Sequence, residues 1–189
     1  MKYDKIYLRK KFLLERKKRY LNAKKFNFNL VFKLVKKYFG KKKIAIAGYY
    51  PSNHEVNILD FLKEASKRKF KIALPVIKSS NSMCFKSWIF EEPLSVNEFG
   101  ILEPIKTNKE VTPDLIMVPL LAFDEQLNRI GYGRGYYDRS LQKITKKKKE
   151  IVSLGIAYSF QRYKKIPVNK YDFKLDYIFT ERGIISSKQ

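Results

Sequence analysis

Three glycines alternate with other side chains in Arg129-Ile-Gly-Tyr-Gly-Arg-Gly-Tyr-Tyr-Asp138, at positions 131, 133 and 135. A residue without a Cβ reaches φ > 0 with no steric cost. A backbone kinked that way turns successive N–H groups into one concavity suited to an anion. Arg129 and Arg134 add positive charge, and Asp138 adds a hard oxygen ligand of the kind Mg²⁺ takes beside nucleotide phosphates. The run reads as a phosphate loop; a glycine-rich surface turn and a basic stretch on nucleic acid are the alternative readings. Two familiar loops do not fit. The dinucleotide fingerprint needs a glycine three places after Gly133, where this chain has Tyr136. A P-loop ends in Gly-Lys-Ser/Thr, whereas this run ends in Gly135-Tyr136-Tyr137-Asp138.

The surrounding pattern is that of an α/β protein. Helices are expected over 4–21, where Leu8, Phe12, Leu13 and Leu14 lie among charges, and over 26–38, with Phe28, Val31, Phe32, Val35 and Phe39 near helical spacing. A further helix is expected over 56–69. Short apolar runs at 44–48, 71–75, 83–90, 115–119, 151–158 and 177–180 read as strands, several of them buried on both faces. Residues 91–113, with prolines at 93, 104 and 113, read as irregular. A helix starting near Gly135 would point its N-terminal dipole at a bound phosphate. Alternating strands and helices predict a three-layer α/β/α sandwich with a mostly parallel, Rossmann-like sheet. The 189 residues are expected to form a single domain, residues 1–40 being N-terminal helices packed on the core.

Composition narrows the partners. Net charge is +23, which suits either nucleic acid or anionic small molecules. The lysines are spread along the chain. The runs at 41–43 and 146–149 flank expected strands and carry no interleaved aromatics of the kind single-strand binders stack on. Nucleic acid is therefore the less favoured partner. No apolar run is long enough to span a bilayer, and the N-terminus lacks a signal-peptide apolar stretch. The single cysteine, Cys84, forms no internal disulfide and reads as a small core residue. A cytoplasmic protein is expected, most simply a monomer.

Further pieces complete a constellation. Lys5 and Arg9 share a face of the first helix. The turn Tyr49-Tyr50-Pro51-Ser52 with His54 and Glu55 follows a strand end, where α/β ligand sites lie. His54 reads as a polar loop residue rather than a general base. Asp172 and Asp176 precede the last expected strand, and either a turn or a metal role suits Asp172.

These segments resemble the 5-formyltetrahydrofolate cyclo-ligase family. The resemblance rests on Lys5-Ile-Tyr-Leu-Arg9, Tyr50-Pro-Ser-Asn-His-Glu55 with Val56, Pro113-Asp-Leu-Ile-Met-Val-Pro119, Ala122-Phe-Asp124, the 129–138 run with Arg139, and Ile166-Pro-Val168 leading to Asp172 and Asp176. They occur in family order over nearly the whole chain. The resemblance implies ATP- and Mg²⁺-dependent cyclisation of 5-formyltetrahydrofolate to 5,10-methenyltetrahydrofolate, with release of ADP and phosphate. It implies ATP contacts from Lys5, Arg9, Arg129, Ile130, Gly131, Tyr132, Gly133, Arg134, Gly135, Tyr136 and Tyr137. Folate contacts would come from Tyr50, Glu55 and residues 132–136, with Arg9 nearby. Mg²⁺ would sit at Asp138 and Asp172, and Arg9, Arg129 and Arg134 would act on the transferring phosphoryl group. Trp88 and Tyr136 are candidate stacking faces for a pterin. The chain departs from the family after Glu55, where Asn57 and Ile58 replace an acidic residue and a threonine. A basic RNA-binding domain and a sugar-phosphate isomerase or transferase of similar fold remain the rival classes.

Overall fold

The computed structural model describes residues 4–187 except 106 and 149. The first helix, α1 (Lys5–Arg19), begins where the Asp4 side chain accepts the Tyr7 N–H at 2.8 Å. Four basic residues in its last turn complement the helix dipole. A 3₁₀ turn at Tyr20–Asn22 separates it from α2 (Asn29–Phe39). The order continues with β1 (Ala45–Ala47), α3 (Leu59–Lys67), β2 (Lys71–Ser79) and β3 (Ser82–Ser87). Helix α3 starts later than the apolar spacing predicts, because Asn57 Oδ1 accepts the Leu59 N–H at 2.9 Å and fixes the first turn there.

The stretch expected to be irregular contains a small hairpin, β4 (Leu94–Val96) and β5 (Leu102–Pro104). Strand β6 (Leu115–Pro119) is followed by a second hairpin, β7 (Ala122–Phe123) and β8 (Arg129–Ile130), that leads into the glycine run. Helix α4 (Tyr136–Lys147) leaves that run directly, and β9 (Val152–Ile156) and β10 (Tyr177–Thr180) follow. A last strand, β11 (Gly183–Ser186), was not expected from the sequence; it turns back antiparallel on β10.

Seven strands form the main sheet in the order β11-β10-β9-β6-β1-β2-β3. The five from β10 to β2 pair in parallel, and β11 and β3 close the edges antiparallel. Side chains alternate between two cores, as the period of a strand demands. Ile46, Ile72, Leu115 and Met117 face α2 and α3, where Val31, Val35, Phe61 and Leu62 pack on them. Ala47, Ala73, Ile116 and Val118 face the other way, toward Leu141 of α4. This is the expected three-layer sandwich.

Helix α1 stands apart from both layers. Its Leu8 and Phe12 pack on Leu121, Ala122, Ile130 and Ile166, so it braces the β7–β8 hairpin that follows β6. Trp88 lies just past β3 in the core beside Phe90, its indole N–H donated to the Glu92 carbonyl at 3.1 Å. That buried setting removes it as a stacking face for a ligand. Among the described residues no helix is long and apolar enough to cross a membrane.

Candidate active site

The parallel strands run in the order β2-β1-β6-β9-β10, so the winding direction reverses between β1 and β6. Loops leaving two such strands diverge and open a crevice at their carboxyl ends. Here the loop after β1 (residues 48–58) and the segment after β6 frame a cleft of about 810 Å³. Lys5, Arg9, Tyr50, Glu55, every residue from Arg129 to Asp138, and Asp172 all line it. These residues lie in four separate segments of the sequence; the fold brings them to one cavity.

The glycine run forms the turn between β8 and α4. Gly133 has φ of +99° and Gly135 has φ of +68°, both in the region where a side chain is strained. A Cβ on Gly133 would also lie 3.1 Å from Arg9 Cζ. Gly135 caps α4 in the left-handed conformation, so the helix N-terminus opens onto the cleft. Arg9 holds the run from across the cleft, its Nε donating to the Gly131 carbonyl at 3.0 Å. Among the described residues the two terminal nitrogens of its guanidinium have no hydrogen-bond partner. Arg134 is exposed, with its guanidinium 4.8 Å from the centroid of Phe99 at the tip of the β4–β5 hairpin.

The two candidate metal carboxylates are each held by one oxygen. Asp138 Oδ1 takes Arg129 Nη2 at 2.8 Å and the Phe173 N–H at 3.0 Å. Asp172 Oδ2 pairs with Lys5 Nζ and accepts the Asn169 N–H at 2.7 Å. Because Phe173 follows Asp172 in the chain, its N–H ties the two carboxylate-bearing segments together. Asp138 Oδ2 and Asp172 Oδ1 have no hydrogen-bond or ion-pair partner among the described residues. Arg129 is buried and committed: its Nη1 also donates to the Phe173 carbonyl at 2.7 Å. Asp176, read alongside Asp172, sits at the other end of the sheet, where it caps the start of β9 through Ser153 N–H at 2.8 Å and Ser153 Oγ at 2.6 Å.

The opposite wall is built around Glu55. Its Oε2 accepts the Ser52 N–H at 2.9 Å, and its Oε1 accepts the Tyr132 hydroxyl at 2.8 Å. Burial pushes the Glu55 carboxyl above its ordinary pKa, while the Ser52 N–H and the charge of Arg16 pull it back down. Burial also raises the Tyr132 and Tyr137 hydroxyls, with the Glu55 charge adding to each. Tyr136 Oη and Tyr137 Oη are buried, belong to residues of the cleft wall, and have no hydrogen-bond partner among the described residues. Orphan polar groups of this kind mark places where a ligand or water completes the set. His54 is outside the cleft lining and packs on Tyr20 with ring centroids 4.4 Å apart, as a loop residue would. Asn57 is an exposed helix cap and Ile58 is fully buried, so the two family departures fall outside the cavity wall.

Sequence reasoning missed three contributors. Arg16 is buried beneath Tyr132; its signal was the spacing of seven from Arg9 and four from Phe12 on one helix face. Phe99 and Glu103 reach the cleft from the β4–β5 hairpin. Glu103 is buried, and its Oε2 accepts Ile77 N–H at 3.2 Å and Asn97 Nδ2 at 3.0 Å. The prolines of that stretch hid the hairpin.

Comparison with known proteins places the whole chain. Residues 1–181 match the family model described as the 5-formyltetrahydrofolate cyclo-ligase family. The 5-formyltetrahydrofolate cyclo-ligase of Haemophilus influenzae is 30% identical over 136 residues, 69% of this chain and 72% of that protein. The Mycoplasma genitalium 5-formyltetrahydrofolate cyclo-ligase is 36% identical over 140 residues, 70% of each chain. Among solved structures, the NMR structure of Aquifex aeolicus 5,10-methenyltetrahydrofolate synthetase aligns with a TM-score of 0.73 at 30% identity, covering 98% of this chain and 93% of that one. A 5,10-methenyltetrahydrofolate synthetase from Mycoplasma pneumoniae aligns with a TM-score of 0.70 at 25% identity, covering 94% and 98%.

Proposed function

The chain belongs to the 5-formyltetrahydrofolate cyclo-ligase family, and from that premise we propose that it closes 5-formyltetrahydrofolate to 5,10-methenyltetrahydrofolate with MgATP, releasing ADP and phosphate in the cytoplasm. One observation carries the reading furthest. A glycine turn with two positive-φ residues, a helix N-terminus, two cations from α1 and two half-occupied carboxylates all open into one cavity.

The chemistry explains why such a set is needed. The formyl group on N5 is an amide, and its oxygen is a poor leaving group. Phosphoryl transfer from ATP to that oxygen releases ADP and makes it part of a phosphate ester. N10 then attacks the formyl carbon, the C–O bond breaks, and phosphate departs with the original formyl oxygen. Loss of the N10 proton leaves the methenyl bridge. Such a transfer asks the protein for alignment and charge neutralisation, not for a covalent nucleophile.

In this reading the N–H groups of Gly133 to Tyr137 cradle the phosphates, with Lys5 and Arg9 on the opposite side. Arg9 and Arg134 have guanidinium nitrogens free to meet charge developing on the transferring group. Arg129 serves by holding Asp138. The free Oδ2 of Asp138 and Oδ1 of Asp172 would hold Mg²⁺. No group of three or more metal-ligating side chains occurs among the described residues, and two carboxylate oxygens fit the habit of Mg²⁺ to fill its shell with phosphate oxygens and water. Bound there, the ion would neutralise phosphate charge. Tyr50 and Glu55 line the folate side, and the Tyr136 and Tyr137 hydroxyls offer unspent hydrogen bonds to it.

The direct test is ultraviolet absorbance of the protein mixed with 5-formyltetrahydrofolate and MgATP. A methenyl product absorbs at longer wavelength than the substrate, and the band should grow only when both ligands and Mg²⁺ are present. Nucleotide binding without any such band would favour the isomerase or transferase class, and salt-sensitive RNA retention without nucleotide binding would favour the RNA-binding class.

A further inference from the structure

Arg16 is the buried cation that the proposed reaction leaves without a task. It lies on the inward face of α1 with Leu8 and Phe12 and is 1% exposed. Its Nη2 donates to Tyr132 Oη and its Nη1 to the Leu120 carbonyl at 3.3 Å, while Nε has no partner among the described residues. Tyr132 Oη in turn donates to Glu55 Oε1 at 2.8 Å. A phenol has one proton to give, so a hydroxyl that donates to Glu55 can only accept from Arg16. The relay Arg16→Tyr132→Glu55 thus runs one way and ends on a carboxylate.

Three remote segments meet in it: α1, the glycine loop and the loop after β1. We infer that Arg16 is a positioning residue which, through the Tyr132 hydroxyl, latches the nucleotide loop to the folate loop and makes the two ligands bind cooperatively. The identity of the two ligands rests on the function proposed above. The latch itself rests on geometry. A buried guanidinium is costly unless its charge is met; among the described residues Arg16 has no ion pair of its own and reaches the Glu55 carboxylate through the Tyr132 hydroxyl. Gly131 and Gly133 on either side of that tyrosine leave the loop little stiffness of its own. Anchoring it to Glu55 means that a ligand ordering one wall has already ordered the other, and the second ligand then pays less to bind. By linkage the effect is mutual. A merely structural Arg16 would weaken both ligands without changing how each affects the other.

The test is calorimetric. The affinity of a non-hydrolysable ATP analogue with Mg²⁺ is measured with and without saturating 5-formyltetrahydrofolate, in the unaltered protein and in Tyr132→Phe, Arg16→Met and the double variant. The unaltered protein should show a coupling factor of about 5 or more. Tyr132→Phe should bring it close to one, and adding Arg16→Met should change it no further, because the two act in series. Tyr132 is 41% exposed, so loss of its hydroxyl alone leaves the fold standing should Arg16→Met fail to fold. A coupling factor of one in the unaltered protein, or one that survives in Tyr132→Phe, overturns the latch. A protein that binds the nucleotide but no folate refutes the functional reading and the cooperativity with it. Amide hydrogen exchange at residues 131–135 of the unliganded protein tests the latch separately: Tyr132→Phe should speed it, and unchanged exchange overturns the latch whatever the ligands prove to be.

Discussion

Arg129 meets Asp138 through Nη2 and Oδ1 at 2.8 Å, nine residues apart across the glycine run, and so pins the two ends of the phosphate loop to each other. The pair is buried on the arginine side and part-open on the aspartate side. Breaking such a pair from one end leaves an uncompensated charge. Arg129→Met should lower the unfolding free energy by roughly 3–5 kcal/mol, read from urea denaturation. Arg129→Lys should recover part of it, since the charge stays but the fork that also reaches the Phe173 carbonyl is lost. Equal midpoints for all three proteins would show that the pair does not hold the loop.

The metal assignment makes a separate prediction. Asp172→Asn should reduce turnover by about 100-fold or more at limiting Mg²⁺, as loss of a group that neutralises transition-state charge does elsewhere. Asp138→Asn should do the same and also lose stability, because Arg129 then faces a neutral amide. Rates near those of the unaltered protein in both variants, with circular dichroism showing intact folds, would remove Mg²⁺ from these positions.

A third prediction concerns pH. Burial raises the Glu55 carboxyl above its ordinary value of 4.5. The folded state therefore holds the proton over a range in which the unfolded state has released it. Stability from this group is fully present below the unfolded pKa and is lost as pH rises through the folded one. Glu55→Gln removes that dependence. Its melting temperature relative to the unaltered protein should accordingly be higher at pH 7 than at pH 4, while its affinity for folate should fall. A difference in melting temperature that is flat with pH would contradict the raised carboxyl.

Much of this site was legible because its signals are local. The glycine run announces its own backbone, and Leu115–Pro119 and Tyr177–Thr180 appear as strands with the expected limits. What escaped depends on partners distant in sequence. Arg16 shares a helix face with Phe12, but its burial depends on Leu120 and Tyr132, more than 100 residues away. The Gly183–Ser186 strand is stabilised by pairing with β10 rather than by a strong pattern of its own. Phe99 and Glu103 sit in a proline-bearing stretch whose hairpin is docked on β2 by a Glu103–Ile77 bond distant in sequence. Asp176 looked equivalent to Asp172 because the two are four positions apart, yet Asp172 lines the cleft while Asp176 caps the start of β9.

Positive charge on the cleft suggests a further measurement. Lys5, Arg9, Arg134 and Arg139 all line it within a chain of net charge +23. A polyanionic glutamate tail on the folate would feel that charge over a Debye length of about 8 Å at physiological salt. Longer tails should lower KM, and added salt should erase much of the gain while leaving kcat unchanged. Equal KM for mono- and polyglutamate substrates would leave the lysine excess without this explanation.

The glycine loop gives the sharpest test. Gly133 combines φ of +99° with a missing Cβ that would stand 3.1 Å from Arg9 Cζ and 3.2 Å from Arg9 Nε. A β-branched residue there is strained twice, by its backbone and by its neighbour. Relief would come from a flattened turn or from a displaced Arg9, and either one dismantles the phosphate cradle. Gly133→Val should therefore abolish detectable MgATP binding in a calorimetric titration. Lys147→Ala, in the last turn of α4 away from the cleft, should bind as the unaltered protein does. Gly131 has open space around its missing Cβ and no positive φ, so Gly131→Ala should keep most of the affinity. This ordering separates a nest that needs its central glycine from a loop that is merely glycine-rich. A folded Gly133→Val protein that binds MgATP normally would remove the phosphate loop, and with it the nucleotide half of the proposed reaction.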